Sequence, residues 1–200
     1  MSKRHPTLSV PVQTQRRSAD MDQQRGITLV ELLTVIAVLG ILLAGAIPSL
    51  GAMVDSATLS SQSNMFLSSL HLARSEAIKR NSRVTLCKSA DGLACTEAGG
   101  WHQGWIVFQD ANNNGAKDGG EAVIYQAQAL PASFRLVGNL NVAKYVSFIA
   151  TGGTKLATGA FQAGTLTLCR QSAPAGEARQ IVINSAGRPR VQKAEVTVCV

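Results

Sequence analysis

A chain of 200 residues with 46% apolar content can form one folded domain and a membrane segment, but not comfortably two domains. Its 18 glycines and its aromatic content of only 4% favour a β-rich domain over a helical bundle. The net charge is +7, and part of that excess lies in the first 26 residues.

Residues 1–26 have no apolar core, contain two prolines and carry the cations Arg16, Arg17 and Arg25. We expect this segment to be disordered in the cytoplasm. If the apolar residues that follow form a membrane helix, these cations keep its N-terminal end in the cytoplasm. The chain after Leu50 is then expected to lie outside the cytoplasm.

The apolar run from Ile27 to Leu50 predicts a transmembrane helix over residues 27–50. Between Leu32 and Ile47 it has no charged residue, and Thr34 is its one hydroxyl. As continuous helix it would be about 36 Å long at about 1.5 Å per residue, enough to cross a hydrocarbon core of about 30 Å.

The pair Arg25-Gly26 stands before this apolar run, whereas a secretory signal is cleaved after its apolar core. With Ile27-Thr28-Leu29-Val30-Glu31 it resembles the class III leader of type IV pilins and type II secretion pseudopilins. The resemblance implies cleavage after Gly26 by prepilin peptidase and N-methylation of Ile27, although the family most often has phenylalanine there. It also implies a subunit that assembles with other major and minor pilins or pseudopilins, and Pro48 falls where pilins usually carry a helix-bending proline.

Glu31 has two interpretations. Thr28-x-x-Glu31 is a capping box that would satisfy free N–H groups at the start of a helix. In lipid an unpaired carboxylate is costly, and the resemblance then implies that Glu31 pairs with the N-terminal ammonium of a neighbouring subunit.

After Pro48 the helical spacing continues but becomes amphipathic, because Phe66, Leu70, Ala73 and Ala77 recur at i, i+4, i+7 and i+11. This pattern predicts an amphipathic continuation over residues 51–82, with the helix ending near Arg80.

From Arg83 the apolar period changes to two, which predicts a β head over residues 83–200. Short strands separated by Gly, Asn and Pro, without helices between them, indicate antiparallel sheet. The predicted strands are Arg83–Cys87, Gly104–Phe108, Glu121–Tyr125, Phe134–Val137, Tyr145–Ile149, Thr165–Cys169, Gln180–Ile183 and Glu195–Cys199. The expected fold is α+β and type IV pilin-like: a long N-terminal transmembrane and amphipathic helix packed against a C-terminal antiparallel β-sheet or sandwich head.

The segment Trp101-x-x-Gly104-Trp105-Ile106-Val107-Phe108-x-Asp110-x-Asn112-x-Asn114-Gly115-x-x-Asp118-x-Gly120-Glu121 is similar to the signature segment of GspH/FimT pseudopilins. Its second half also mimics a calcium loop, in which oxygen ligands alternate around a sharp turn. The candidate ligands are Asp110, Asn112, Asn114, Asp118 and Glu121. The alternative is turn chemistry, because Asn, Asp and Gly between two strands commonly form turns.

Four cysteines, Cys87, Cys95, Cys169 and Cys199, allow three full pairings. In an oxidising compartment we expect Cys87–Cys95, which closes a local loop, and Cys169–Cys199, which ties the end of the chain to an earlier strand. Zinc is the competing interpretation, and no Cys-x-x-Cys pair supports it.

The sequence does not indicate an enzyme. His5, His71 and His102 are not accompanied by a nucleophile and an orienting acid in any local motif, and no cofactor motif is present. We therefore expect no catalytic residue and no cofactor.

The turn-like stretch after the strand Gln180–Ile183 contains Gly187, Arg188 and Arg190, which we expect at an exposed bend. If Arg188 and Arg190 alternate along extended chain, their guanidiniums share a face and can contact successive phosphates. Lys193, Arg179 and Arg170 would extend this patch. The alternative is a solvated hairpin tip.

The Gly-Arg-x-Arg pattern is similar to the C-terminal DNA-binding motif of FimT-type minor pilins, which capture DNA for natural transformation. The resemblance implies non-specific binding of double-stranded DNA, weakened by salt. Two other functions remain open, a purely structural minor pilin that primes pilus assembly and the type II secretion pseudopilin H. In each case the expected location is the inner membrane, with a single span and a periplasmic head, and then an extracellular pilus or a periplasmic pseudopilus.

Overall fold

The computed structural model describes residues 26–171 and 176–199, except the side chains of residues 46–49. The predicted leader through Arg25 and the side chain of Pro48 thus lie outside the described part. The chain divides into two compact units, Met1–Ala46 and Ile47–Val200.

One helix, α1 (Leu29–Arg80), covers both predicted helical segments. It is long and apolar enough to cross a membrane, judged by length and composition alone. In the first unit its described apolar side chains are exposed, as Leu33 and Leu42 illustrate. The helix ends at Arg80 because Asn81 takes a left-handed conformation, with φ 48°, which asparagine tolerates better than most residues.

The second unit contains two antiparallel sheets of four strands each. The strands are β1 (Val84–Lys88), β2 (Trp105–Gln109), β3 (Val123–Ala127), β4 (Phe134–Gly138), β5 (Tyr145–Phe148), β6 (Gly164–Arg170), β7 (Gly176–Ile183) and β8 (Pro189–Val196). The first sheet has the order β3-β2-β1-β5, and the second has the order β4-β6-β7-β8. Short 3-10 helices lie at Trp101–Gln103 and Leu140–Val142.

The core of this unit forms where the apolar stripe of α1 meets the sheets. The predicted stripe residues Phe66, Leu70, Ala73 and Ala77 are all fully buried. Phe66 packs edge-on against Trp101 and Trp105, with ring centroids 5.2 and 5.0 Å apart. The predicted α+β fold with a helix packed on antiparallel sheet is therefore confirmed.

The main correction concerns the last strand. The sequence predicted it at Glu195–Cys199, but β8 runs from Pro189 to Val196 and pairs with all of β7. The sequence pattern missed the start of β8 because the strand contains charged residues. An edge strand with one solvated side does not need a continuous apolar pattern. β7 is also longer than predicted, since it begins at Gly176.

Two disulfides connect the cysteines in the pairs that we expected. Cys87 pairs with Cys95 eight residues away, and Cys169 on β6 pairs with Cys199, 30 residues away. The second bond attaches the chain after β8 to the interior of its own sheet.

Candidate functional site

The start of α1 presents the residues of the predicted processing and assembly site. Gly26 and Ile27 precede the helix and are exposed. The backbone N–H of Glu31 donates to Thr28 Oγ1 over 3.3 Å, so Thr28 caps the helix, which is one of the two bonds of a capping box. The Glu31 side chain is exposed.

The residues Asn184–Arg190, which we call the arginine turn, comprise the connection from β7 to β8 and the first two residues of β8. Gly187 donates its N–H to the carbonyl of Asn184 over 2.9 Å, and the N–H of Arg188 donates to Asn184 Oδ1 over 3.0 Å. Both Arg188 and Arg190 are exposed, as predicted for a bend between strands. Their backbone environments differ. Arg188 lies in the connection between the two strands, whereas Arg190 belongs to β8 and lies opposite Val182.

Gly187 has a structural role in this turn. It has φ +67°, and a Cβ at this position would lie only 2.0 Å from the carbonyl oxygen of Gly152. Only glycine fits both the left-handed conformation and this close approach. Gly187 therefore places Arg188 without itself needing to contact a ligand.

The arginine turn is tied to a second loop, which follows β5. The N–H of Thr154 donates to the carbonyl of Ser185 over 3.1 Å, and Thr154 Oγ1 lies 3.0 Å from the carbonyl oxygen of Asn184. Beneath this loop, Arg74 Nε of α1 lies 2.9 Å from the point that a Cβ on Gly152 would occupy. Helix, loop and turn are thus packed directly against one another.

These three elements line an open cleft of about 370 Å³, which we call the basic groove. Its cations are Arg74, Lys155 and Arg188, and its aromatic ring is Phe161. No acidic residue is among those described that line it. No recognisable motif contains Arg74, Lys155 or Phe161, so the sequence alone did not indicate them as site residues.

The structure contradicts the prediction that Arg179 extends the surface patch. Its side chain is 5% exposed, and Nη1 donates to Glu177 Oε1 over 2.7 Å, while Nη2 contacts the hydroxyls of Ser56 and Ser60. Hydrogen bonding from Arg179 and then from Ser56 holds the pKa of Glu177 below its ordinary value. Arg179 joins β7 to α1 because the alternation of β7 turns it inward.

The other two predicted extensions are also engaged with acids. Lys193 lies opposite Arg179 in the β7–β8 ladder, and its Nζ is 3.8 Å from Glu177 Oε1. It remains exposed, but it projects on the opposite side of β8 from Arg190, because the two are three residues apart along the strand. Arg170 forms an ion pair with Asp55 of α1.

The loop after β2 is closed by its own hydrogen bonds. Asp110 is buried and accepts bonds from Thr85 Oγ1 and from the backbone N–H groups of Asn114 and Gly115. The carboxylate of Glu121 accepts the N–H groups of Ala111 and Asp118.

Asp118, the remaining carboxylate of the calcium candidate, accepts the side-chain amides of Asn112 and Asn114, which hold its pKa below the ordinary value. Each of the five candidate ligands thus takes part in hydrogen bonds within the loop, which is the turn chemistry given as the alternative. Across the described residues, no group of three or more His, Cys, Asp or Glu side chains is placed to hold a metal.

His102, in the first 3-10 helix, has a pKa below its ordinary value, because burial and then the nearby Arg135 disfavour its charged form. His71 is exposed on α1. The structure brings neither histidine into the basic groove.

A long apolar N-terminal helix followed by an antiparallel β head is the fold of pilin-like proteins. Solved structures share this fold. The type IV minor pilin FimU of Pseudomonas aeruginosa aligns in two crystal forms with TM-scores of 0.53 and 0.52 and identities of 18% and 17%. Each alignment covers 71% of this chain, and 95% or 100% of FimU.

Sequence comparison identifies the family. Residues 62–187 match the family model described as type II transport protein GspH, and residues 21–47 match the prokaryotic N-terminal methylation motif. The chain belongs to the GspH family, and it is a minor pilin or pseudopilin.

A sequence relative is the pilin-like protein PilA1 of Thermus thermophilus, which is 35% identical over 98 residues. The match spans 49% of this chain and 56% of PilA1, so little more than half of that relative's length is represented.

Proposed function

We propose that this protein is a non-enzymatic minor pilin of a type IV pilus, and that its arginine turn binds DNA without sequence preference for uptake in natural transformation. Prepilin peptidase removes the leader 1–26 and Ile27 is methylated. Residues 27–50 anchor the chain in the inner membrane until it joins other major and minor pilins. Residues 51–82 continue the helix beneath the periplasmic head 83–200.

Glu31 and Pro48 are the residues that we assign to assembly. Because the Glu31 side chain is exposed at the start of an apolar helix, it is placed to pair with the N-terminal ammonium of a neighbouring subunit.

The DNA proposal is supported mainly by the exposure of the two motif arginines and by their lack of an acidic partner among the described residues. Arg188 and Arg190 are exposed, and neither forms an ion pair with an acid in residues 26–171 and 176–199. Arg170 and Arg179, by contrast, are both paired. An exposed guanidinium without an acidic partner keeps its donors free for phosphate oxygens, which it can bind bidentately.

Binding of this kind carries no base information, because phosphates are the same at every step. It should therefore be indifferent to sequence and weakened by salt. Each phosphate that a variant no longer neutralises should reduce the slope of log affinity against log salt by about 0.9 for duplex DNA.

The test is gel retardation of duplex DNA by the full chain in detergent. We expect the double variant Arg188→Gln/Arg190→Gln to lose most of its affinity and to have a salt slope smaller by about 2. A charge-matched control is Lys79→Gln/Lys144→Gln, which removes two lysines that are 76% and 62% exposed outside the arginine turn. Equal retardation by both double variants would reject the arginine turn as the site, and no retardation by the parent at low salt would reject the activity.

A second candidate, the type II secretion pseudopilin H, is favoured by the description of the family model as a type II transport protein. The two candidates differ in the filament that contains the subunit. Deleting the gene should impair DNA uptake with secretion intact if the first proposal holds, and secretion with DNA uptake intact if the second holds.

A further inference from the structure

We infer that the basic groove binds a nucleic-acid strand with unpaired bases, in which Arg74, Lys155 and Arg188 contact phosphates and Phe161 stacks on a base. This inference deepens the DNA-binding proposal and rests on it. The binding site is then the whole groove, which three elements build, and not the arginine turn alone. The ligand is nucleic acid whose bases are unpaired.

The cations of the groove are far apart in sequence but fixed by packing. Arg74 lies on α1, Lys155 follows β5, and Arg188 precedes β8. The hydrogen bond from the N–H of Thr154 to the carbonyl of Ser185 holds the second loop on the arginine turn, and the Arg74 guanidinium packs beside Gly152 of that loop. A ligand would thus meet cations whose backbones are already positioned, which lowers the entropic cost of binding.

The charge of the groove is uncompensated. None of its three cations forms an ion pair within residues 26–171 and 176–199, and no acid is among its described lining residues. A cleft lined by one sign of charge concentrates counter-ions. Three such cations around a cleft suit a chain of phosphates better than a single anion.

Phe161 is the feature that distinguishes single-stranded from duplex nucleic acid. It is 75% exposed, whereas Phe66, Phe108, Phe134 and Phe148 are at most 4% exposed. Its backbone forms an antiparallel bridge with Lys155. Because directly opposed residues of antiparallel chains project to the same side, the ring and the ammonium lie on one face at the groove.

An exposed ring beside cations is the arrangement of single-strand binding surfaces, where bases stack on aromatic side chains while the backbone follows a basic groove. In a duplex the bases are already stacked inside the helix and cannot reach the ring. Phe161 therefore adds affinity only for a strand whose bases are unpaired, such as a frayed or melted end of incoming DNA.

The test is fluorescence anisotropy with the full chain in detergent, comparing a labelled oligothymidylate with a duplex of the same length. We expect Arg74→Gln and Lys155→Gln to weaken binding of both probes, and each to reduce the salt slope by about 0.7 for the single strand. Phe161→Ala should weaken binding of the oligothymidylate about 5- to 150-fold and leave binding of the duplex unchanged. Phe161→Tyr, which keeps an aromatic face, should restore single-strand binding.

The outcomes separate the two proposals. If Arg188→Gln weakens binding but Arg74→Gln and Lys155→Gln bind like the parent, the groove is wrong and the arginine turn stands. If Phe161→Ala affects both probes equally or neither, the preference for unpaired bases is wrong. If the parent binds neither probe, the DNA-binding proposal itself fails. Unchanged circular dichroism of each variant would show that the substitutions leave the fold intact.

Discussion

At the scale of single residues, the most informative position is Gly187. The backbone conformation at this position explains why the motif has a glycine there. The Gly-Arg-x-Arg pattern draws attention to its arginines, but the glycine is what allows the turn to pass the carbonyl oxygen of Gly152 at close range. Arg188 next to it lines the same groove as Arg74 and Lys155. Substituting the glycine should therefore damage the fold before it affects any ligand.

We predict that Gly187→Ala lowers the free energy of unfolding by about 3 kcal/mol, the sum of left-handed strain and of steric overlap with Gly152. The measurement is urea unfolding followed by the fluorescence of Trp101 and Trp105, which are both buried.

Gly159→Ala is the matched control for this prediction. Gly159 also has positive φ, +87°, but a Cβ there meets no atom within 4 Å. It should cost only about 1 kcal/mol, from strain alone. Equal losses for the two variants would contradict the close approach of Gly187 to Gly152.

The residue scale also shows what sequence patterns could and could not predict. The exposed arginines at a bend were predictable, because turn residues follow an apolar strand. The burial of Arg179 was not, because its inward direction depends on the register of β7 and on the hydroxyls of Ser56 and Ser60 that α1 brings to it. Lys155 and Phe161 could not be identified either, since only the folded loop places them opposite each other.

At the scale of elements, the strongest sequence signals were the change of apolar period near Arg83 and the stripe on α1, and both correspond to structure. The apolar pattern locates most strands within one or two residues, although β1 and β2 are buried on both faces rather than one. The signal fails at β8, an edge strand whose pairing with β7 comes from backbone hydrogen bonds rather than from apolar side chains. The disulfide Cys169–Cys199 supports this weakly patterned edge from its far end.

We predict that removing Cys169–Cys199 costs more stability than removing Cys87–Cys95. In the chain-entropy model, loops of 30 and eight residues correspond to about 3.6 and about 2.5 kcal/mol. The measurement is urea unfolding of the two double serine variants. With hydrogen exchange, the first variant should also lose amide protection in β8, whereas the second should lose it around residues 89–100. A larger loss from the shorter loop would contradict this account of the terminal strand.

At the scale of the whole molecule, the chain combines a helix whose N-terminal part is apolar and exposed with a head that contains two disulfides. The apolar side chains in the first unit have no partner within the described chain and would be costly in water. Under the proposed function, a membrane covers this surface before assembly, and neighbouring subunits cover it in the filament. Membership of the GspH family fits this combination, and it leaves the head free to carry a specialised surface such as the basic groove.

The measurement that tests this account most directly is intact mass spectrometry of the protein recovered from sheared surface filaments and from membranes. We predict a mature chain in both fractions that begins at Ile27, carries the added mass of one methyl group and contains two intact disulfides. A protein that retains Met1 to Gly26 under conditions in which other prepilins are processed, and that is absent from the filaments, would contradict the filament-subunit account.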